Sequence, residues 1–403
     1  MKITNIRFRE LTGTTTYPED YWQERQAMPL DIYPEFKALS GPQLYRMWKF
    51  IGEGDEQWVK SIFLEIETDE GITGIAGPIN WTIPCVYIEG PLKAFLIGKD
   101  PLAIERIWDQ MYRASAHGRK GGYNMHAISY VDAALWDIKG KALGQPVHRL
   151  LGGPVQDRIP AYVSALGYSL EPEKAYEKVK EFRADGYTAT KWFIRNGPTD
   201  GPKGERETVE LVKALREAAG PDMKIMLDCW STWDVPYTLR MARLLEEFDP
   251  YWIEEPVITE RRDSYARLRR ESPVRIAGGE HEFTRWGARR MMEAGTCDFY
   301  QMDTLWAGGI SETMKIYTLA SVYDVPLIPH GASTHINGHV SFAQNATMAP
   351  MMEYLQSVKA MTHHFLQHQY VPIDGYFYPL DVPGLGMDID ESKIESEREL
   401  SWL

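Results

Sequence analysis

The sequence predicts an α/β protein: a (β/α)8 TIM barrel preceded by a smaller N-terminal α+β unit. Three observations predict it. From Ile159 onward, short β-rich runs alternate with helical runs at a nearly fixed interval, eight times in about 200 residues. Ahead of that repeat, two strand-like runs flank a long stretch with no periodicity. The 403 residues also exceed what one ordinary domain needs.

The elements follow in order. ITNIRFREL alternates apolar and polar residues, as does SIFLEIETDEGITGIA, which carries Asp-Glu-Gly at its turn. Between them, Thr14 to Asp55 is aromatic and polar without a period, and a loop of that length reads as a lid over a site. PLKAFLIG and AIERIWDQMYRAS are expected as amphipathic helices. HAISYVDAALWDIKGKALG is a strongly apolar helix stopped by Gly144 and Pro146. The barrel strands are IPAYVS, TATKWFI, KIMLDCW, YWIEEP, RIAGGE, DFYQMD, VPLIPHG and MEYL, with helices such as PEKAYEKVKEFRADG and TRWGARRMMEAG between them. A doubly wound open sheet is the competing architecture, but no Gly-rich dinucleotide fingerprint follows the first strand. The turn-rich tail from Gly375 is expected to pack back on the N-terminal unit. The expected division is 1–125 for the cap with its loops, 126–372 for the barrel and 373–403 for the returning tail.

Composition narrows the function. The 44 basic and 57 acidic residues give a net charge of −13, which disfavours a nucleic-acid backbone as partner. Cys85, Cys229 and Cys297 are odd in number and widely spaced, so neither a disulfide framework nor a Cys-rich zinc site is encoded. No apolar run is long enough to span a membrane, and the N-terminus lacks an apolar leader. A cytoplasmic protein acting on a small molecule is expected.

The chemistry lies in a register. Asp228, Glu254, Glu280, Asp303 and His330 end successive strands, separated by 26, 26, 23 and 27 residues, about one βα unit each. All are therefore expected at the C-terminal mouth of the barrel, where barrel enzymes place their chemistry. Asp228, Glu254 and Glu280 cannot all stay ionised in a dry pocket without a cation, and an all-oxygen donor set suits Mg2+ first. Asp303 and His330 sit on neighbouring strands, so the carboxylate can fix the imidazole tautomer and raise its basicity for general-base work. Lys191 ends the second strand and can bind a substrate carboxylate as a point charge. Glu353 ends the eighth and could donate a proton to an enolate if its pKa is raised. His281 follows Glu280 and is a candidate pocket residue. His335 and His339 have the i, i+4 spacing of a helical metal pair, but no third ligand accompanies them. His363, His364 and His368 are expected at the surface.

LDCW with Asp228, WIEEP with Glu254, GGEHE with Glu280, and the Asp303–His330 pair together resemble the enolase superfamily, and within it the mandelate racemase subgroup. The stretches LDCWSTWDVPYT, GGEHEFTRWG and NGPTDGPKG are most similar to L-rhamnonate dehydratases and their relatives. The resemblance implies a modified barrel with an N-terminal capping domain and a C-terminal return to it. It implies Mg2+ on Asp228, Glu254 and Glu280, and dehydration of an acid sugar to a 2-keto-3-deoxy acid. It also implies a homo-oligomer. Two departures stand out. Racemases of the subgroup carry Lys-x-Lys at the second strand, whereas this chain has Lys191-Trp192-Phe193, so one of two bases is absent. Rhamnonate dehydratases use a His in the N-terminal specificity loop, and none occurs here before His117. Tyr21, Trp22, Arg25, Arg46 and Lys49 are the candidates for contacting the sugar chain from the lid. Competing functions are a cycloisomerase or epimerase using the same enolate chemistry, a metal-free glycosidase using Glu254 and Glu280, and a barrel that binds sugar acids without turnover.

Overall fold

The computed structural model describes residues 1–40, 43, 58–117, 121–331 and 333–402. Strands β1 (Ile3–Thr14), β2 (Trp58–Thr68) and β3 (Thr73–Ala76) form an antiparallel meander, and a C-terminal strand (Ser396–Leu400) adds to the free edge of β1. The tail thus returns to the sheet at the other end of the chain, with Phe8 paired to Leu400 on one side and Leu64 on the other. Ile6 and Phe8 alternate inward against the more exposed Arg7 and Arg9, and Ile3 and Leu11 are also buried, Ile3 lying beyond a register shift at the start of the strand. Helix α1 (Ile104–Ala114) packs on the long α2 (Tyr123–Leu143), which lies against β2 and β3. Helix α2 is buried along most of its length, because it also packs on the barrel. It comes so close to β3 that a Cβ on Gly74 would sit 2.1 Å from the Ala134 carbonyl oxygen. The PLKAFLIG segment departs from expectation. Around Pro91 it forms irregular turns (Ile88–Leu92, Lys93–Phe95), since a proline inside a helix removes a hydrogen-bond donor.

The barrel strands are β4 (Ile159–Ser164), β5 (Ala189–Phe193), β6 (Lys224–Asp228), β7 (Trp252–Glu254), β8 (Ile276–Gly278), β9 (Phe299–Tyr300) and β10 (Met352–Leu355). They pair in parallel in the order β10-β4-β5-β6-β7-β8-β9. The VPLIPHG run fills the remaining place as an extended segment rather than a regular strand. Pro326 and Pro329 have no N–H to offer a ladder, so it keeps a single bridge, Leu327 to Tyr300. Ile328 and His330 still donate to the Tyr300 and Met302 carbonyls at 2.9 and 3.2 Å, which holds the parallel register. Helices α3 (Pro172–Ala184), α4 (Gly201–Ala219), α5 (Val235–Leu245), α6 (Arg262–Glu271), α7 (Thr284–Ala294), α8 (Gly309–Val322), α9 (Thr334–Phe342) and α10 (Gln356–Thr362) follow their strands in turn.

An apolar plug fills the barrel. Tyr162, Ala189, Met226, Trp252, Ala277, Phe299, Ile328 and Met351 form one buried cluster, one residue from each wall position. Side chains alternate faces along a strand, so the residues two further on point inward again, one layer nearer the mouth. Those residues are Ser164, Lys191, Asp228, Glu254, Gly279, Gln301, His330 and Glu353. A closed apolar floor therefore carries a polar layer above it.

Candidate active site

Lys191 is the hub of that layer. Its buried Nζ lies 2.7 Å from Glu254 Oε1, 2.8 Å from Glu353 Oε1 and 3.5 Å from Asp228 Oδ2. Burial opposes the ammonium, but these carboxylates hold it charged, well above its ordinary pKa. Burial drives Asp228 up to about 6 and Glu254 up to about 7; Lys191 pulls both down, while neighbouring carboxylates push both up. Glu254 Oε2 accepts from Gln301 Nε2 at 2.8 Å and Trp252 Nε1 at 3.0 Å, two donors below and beside it in the barrel.

The chain turns sharply beyond these strand ends. Glu255 is held at φ +38°, and Gly279 at φ +112°. A Cβ on Gly279 would meet the Tyr300 ring at 2.3 Å, so only glycine fits there. After these turns Glu255 Oε2 meets His281 Nδ1 at 2.8 Å. Glu255, Glu280 and His281 bring ligand atoms within 4.8 Å of one another. Burial raises Glu280 to about 7, against the pull of His330 and His281. For His281, Glu255 and Glu280 outweigh burial and lift it to about 10.

His330 Nδ1 lies 2.9 Å from Asp303 Oδ2, the dyad expected from the sequence. Its Nε2 lies 3.5 Å from Glu280 Oε1. Asp303 also accepts from Leu305 N at 2.7 Å, and Asn337 Nδ2 donates to the His330 carbonyl at 2.7 Å, so both partners are anchored. Burial works against a charged His330, yet Glu280, the bond to Asp303 and Glu353 lift it to about 9. Glu280 is the strongest of these upward influences, so any charge Glu280 shares elsewhere is withdrawn from His330. Glu353 differs from expectation. Lys191 and His330 overcome its burial and hold it below the usual carboxylate range, and it accepts from Gly331 N at 2.7 Å. Beside Lys191 it is held as a carboxylate, so the raised pKa that proton donation needs is not found here.

These groups surround a cavity of about 420 Å³ between barrel and cap. Lys191, Asp228, Glu280, His281 and His330 reach it from the barrel, as does Phe193. A wider, open hollow of about 960 Å³ adjoins it and shares Trp230 and His281. Of the lid candidates, Arg46 and Lys49 lie outside the described residues. Tyr21, Trp22 and Arg25 are not among the cavity's lining residues. Tyr21 packs edge-on to Tyr168, Trp22 is buried beside Gly167, and Arg25 is buried against Asp31 at 2.5 Å. They fasten the lid, and Gln26 and Met28 line the cavity instead. Sequence reasoning also missed Ser164 and Gln301, which a two-residue step from the apolar plug would have found, and His126, which nothing on its apolar helix distinguished. Among the described residues His335 and His339 gather no third ligand: His335 Nε2 donates to the His368 carbonyl at 2.9 Å, and His339 faces His148. His363, expected at the surface, is buried with its ring centroid 4.8 Å from that of His335.

The donor set fits a hard cation. Asp228, Glu254, Glu255, Glu280 and Glu353 are carboxylates drawn into one mouth, facing Lys191, His281 and His330; of these, the ligand atoms that converge among the described residues are those of Glu255, Glu280 and His281, whereas Asp228 and Glu254 turn to Lys191. Negative charge is in surplus, and the buried Glu255 Oε1 has no hydrogen-bond partner among the described residues. A barrel mouth with such a set beside a carboxylate-oriented histidine defines a metal-assisted enzyme able to take a proton from carbon next to a carboxylate.

Comparison with known proteins gives the family. Residues 174–393 match the enolase C-terminal domain-like family, and residues 53–152 match the mandelate racemase / muconate lactonizing enzyme N-terminal domain. The chain belongs to the mandelate racemase / muconate lactonizing enzyme family of the enolase superfamily. It is 33% identical over 404 residues to an L-rhamnonate dehydratase of Saccharopolyspora erythraea, covering 97% of both chains. Among solved structures it resembles the rhamnonate dehydratase of Gibberella zeae complexed with Mg, at 30% identity and a TM-score of 0.84, covering 97% of this chain and 95% of that one. The 3,6-anhydro-D-galactonate cycloisomerase of Zobellia galactanivorans is similar at 28% identity and a TM-score of 0.76, covering 98% and 100% of the two chains.

Proposed function

We propose that this chain is a Mg2+-dependent hydro-lyase that dehydrates an aldonate, L-rhamnonate or a near relative, to its 2-keto-3-deoxy acid. One observation carries the one-base form of the reaction. His330, oriented by Asp303, and Phe193 line the same cavity, so the base of one face is present and that of the other is replaced by a ring that cannot take a proton.

Asp228, Glu254 and Glu280 are the residues assigned to the ion, with Glu255 and His281 supporting Glu280. When bound, Mg2+ supplies Lewis-acid stabilisation to the substrate carboxylate. Asp303 accepts the Nδ1 proton of His330 and leaves Nε2 to take the proton from C2. Lys191, kept charged by its carboxylates, faces the negative charge that develops on the substrate's carboxylate oxygens as the C2 proton leaves. Glu353 holds Lys191 in place. The C3 hydroxyl then leaves as water, with His330 placed to return the proton. Incubating the protein with a library of acid sugars and assaying 2-keto acid formation, with and without a chelator, tests the reading. Turnover abolished by chelation is the expected result. Product that keeps the elements of water would favour the cycloisomerase or epimerase reading, which the Zobellia structure supports at lower similarity.

We further propose the division 1–125, 126–372 and 373–403, a cytoplasmic location and a homo-oligomeric state. Buried free cysteines support the location. No helix among the described residues is long and apolar enough to cross a membrane. The exposed apolar Ile83 and Val86 on the cap support the oligomer, which light scattering would test.

A further inference from the structure

The barrel wall is thinnest where its base is held. Asp303 lies just past the short β9, and His330 ends the VPLIPHG segment, which is not a regular strand. Tyr300 N donates to the Pro326 carbonyl at 3.0 Å, and Ile328 N and His330 N donate back toward β9 at 2.9 and 3.2 Å. Pro329 has no N–H to give, and Gly331 N goes to the Glu353 carboxylate at 2.7 Å rather than to a neighbouring backbone. Among the described residues, His330 N to the Met302 carbonyl is the last ladder bond before the dyad, and it is the longest of the three. A general base displaced by about 1 Å can lose on the order of 10²-fold in rate, so something firmer has to fix His330 against Asp303.

Asn337 on α9 supplies it. Its Nδ2 donates to the His330 carbonyl at 2.7 Å, and its Oδ1 accepts from the Thr304 hydroxyl at 2.8 Å. Chemistry fixes this orientation of the amide: a carbonyl accepts and cannot donate, so the nitrogen faces His330 and the oxygen takes the Thr304 proton. Thr304 adjoins Asp303, and Asp303 Oδ2 meets His330 Nδ1 at 2.9 Å. A closed ring results. It runs from the Asp303 carboxylate to the His330 imidazole, from the His330 carbonyl to Asn337, and through Thr304 back to the Asp303 backbone. Asp303, Thr304 and Asn337 are all buried, which shields these bonds from competing water. Asp303 Oδ1 accepts from Leu305 N at 2.7 Å, so the carboxylate cannot swing away inside the ring. Neither Thr304 nor Asn337 is among the residues lining the reaction cavity.

We propose that Thr304 and Asn337 form a clamp that sets the spacing of Asp303 and His330 where the backbone ladder is too thin to do so. Both are positioning residues: they act on the reaction through the dyad. The kinetic consequence rests on the dehydratase reading, whereas the clamp itself is a property of the fold.

The test compares the full-length, Mg2+-loaded protein with Thr304→Val, Thr304→Ser, Asn337→Ala and the double variant Thr304→Val/Asn337→Ala. Thr304→Val keeps the side-chain shape and removes the donor; Thr304→Ser keeps the donor and is the rescue control. Two quantities are read: kcat and KM for 2-keto acid formation, and the low-field proton NMR signal of His330 Nδ1–H bonded to Asp303, which needs no substrate. Thr304→Val and Asn337→Ala are expected to lower kcat by about 10–100-fold with KM nearly unchanged, and to shift or abolish the signal. Thr304→Ser should stay close to wild type in both. The double variant should lose little more than the worse single one, because one ring is opened only once; losses that multiply would overturn the shared clamp. Wild-type kcat with an unmoved signal in Thr304→Val would also overturn it, even where Asn337→Ala fails to fold. A wild type that forms 2-keto acid from no acid sugar would overturn the dehydratase reading, and the signal in Thr304→Val would then decide the clamp by itself.

Discussion

Acid should unfold this protein through a group of histidines on α9. His339 accepts from His148 N through Nδ1 at 3.1 Å, and His148 Nδ1 lies 3.3 Å from the same atom. One turn earlier, His335 donates to the His368 carbonyl and packs against His363. Burial holds both His335 and His339 at about 3, reinforced by Lys359 and His368 around the first and by His148 and His335 around the second. Their folded pKa values lie below the unfolded value of about 6.5. The unfolded chain therefore takes up protons that the folded chain refuses. The stability these residues contribute is fully present above pH ~6.5 and is lost as the pH falls from there toward ~3. At pH 4.5 each histidine costs about 1.4 kcal/mol for each of two pH units, or roughly 2.7 kcal/mol. The pair costs about 5 kcal/mol, against a typical total of about 5–15 kcal/mol. His339→Asn keeps an acceptor near the His148 N–H but cannot titrate. Urea unfolding followed by circular dichroism at pH 7.5 and 4.5 should show the variant losing about 2–3 kcal/mol less than wild type over that interval, whatever its starting stability. Equal losses in the two proteins would refute the argument.

Three other outcomes are expected. His330→Asn should lower kcat by about 10²–10⁴-fold with substrate binding largely kept, and should abolish exchange of the C2 hydron with D2O; exchange at the wild-type rate would put the base elsewhere. Asp228→Asn should weaken Mg2+ binding by about 10–100-fold in calorimetry without lowering the melting temperature of the metal-free protein, because it relieves repulsion among buried carboxylates; undiminished binding would remove Asp228 from the ligand set. Phe193→Lys should introduce C2 epimerisation, seen by NMR of recovered substrate, while His330 still supports dehydration. If no epimer forms, the face of the substrate opposite His330 is out of reach from β5.

The barrel and the order of its chemistry were legible in the sequence. Strand alternation and the βα interval are local properties, so counting about one repeat from Asp228 to His330 suffices to put five residues at one mouth. The Asp303–His330 contact followed from neighbouring strands in the same way. What a side chain meets across the mouth is a long-range matter. Glu254 and Glu255 are adjacent in sequence, yet the first turns to Lys191 and the second to His281, because the backbone swings through φ +38° between them. Glu353 is held below the usual carboxylate range because Lys191, more than 160 positions away in sequence, lies 2.8 Å from it. The lid carries no periodicity, so its sequence shows which residues are polar and aromatic and not which of them turn inward. Loops after β4 and β5 bury Trp22 and Arg25 and leave Gln26 to the cavity. Neither His126 nor His363 carries a local signal of its surroundings; one lines the reaction cavity and the other closes a buried cluster. Local pattern determines which face of a strand or helix a residue occupies, whereas its protonation and partners are set by charges and burial contributed by distant parts of the chain, which only the folded structure brings within reach.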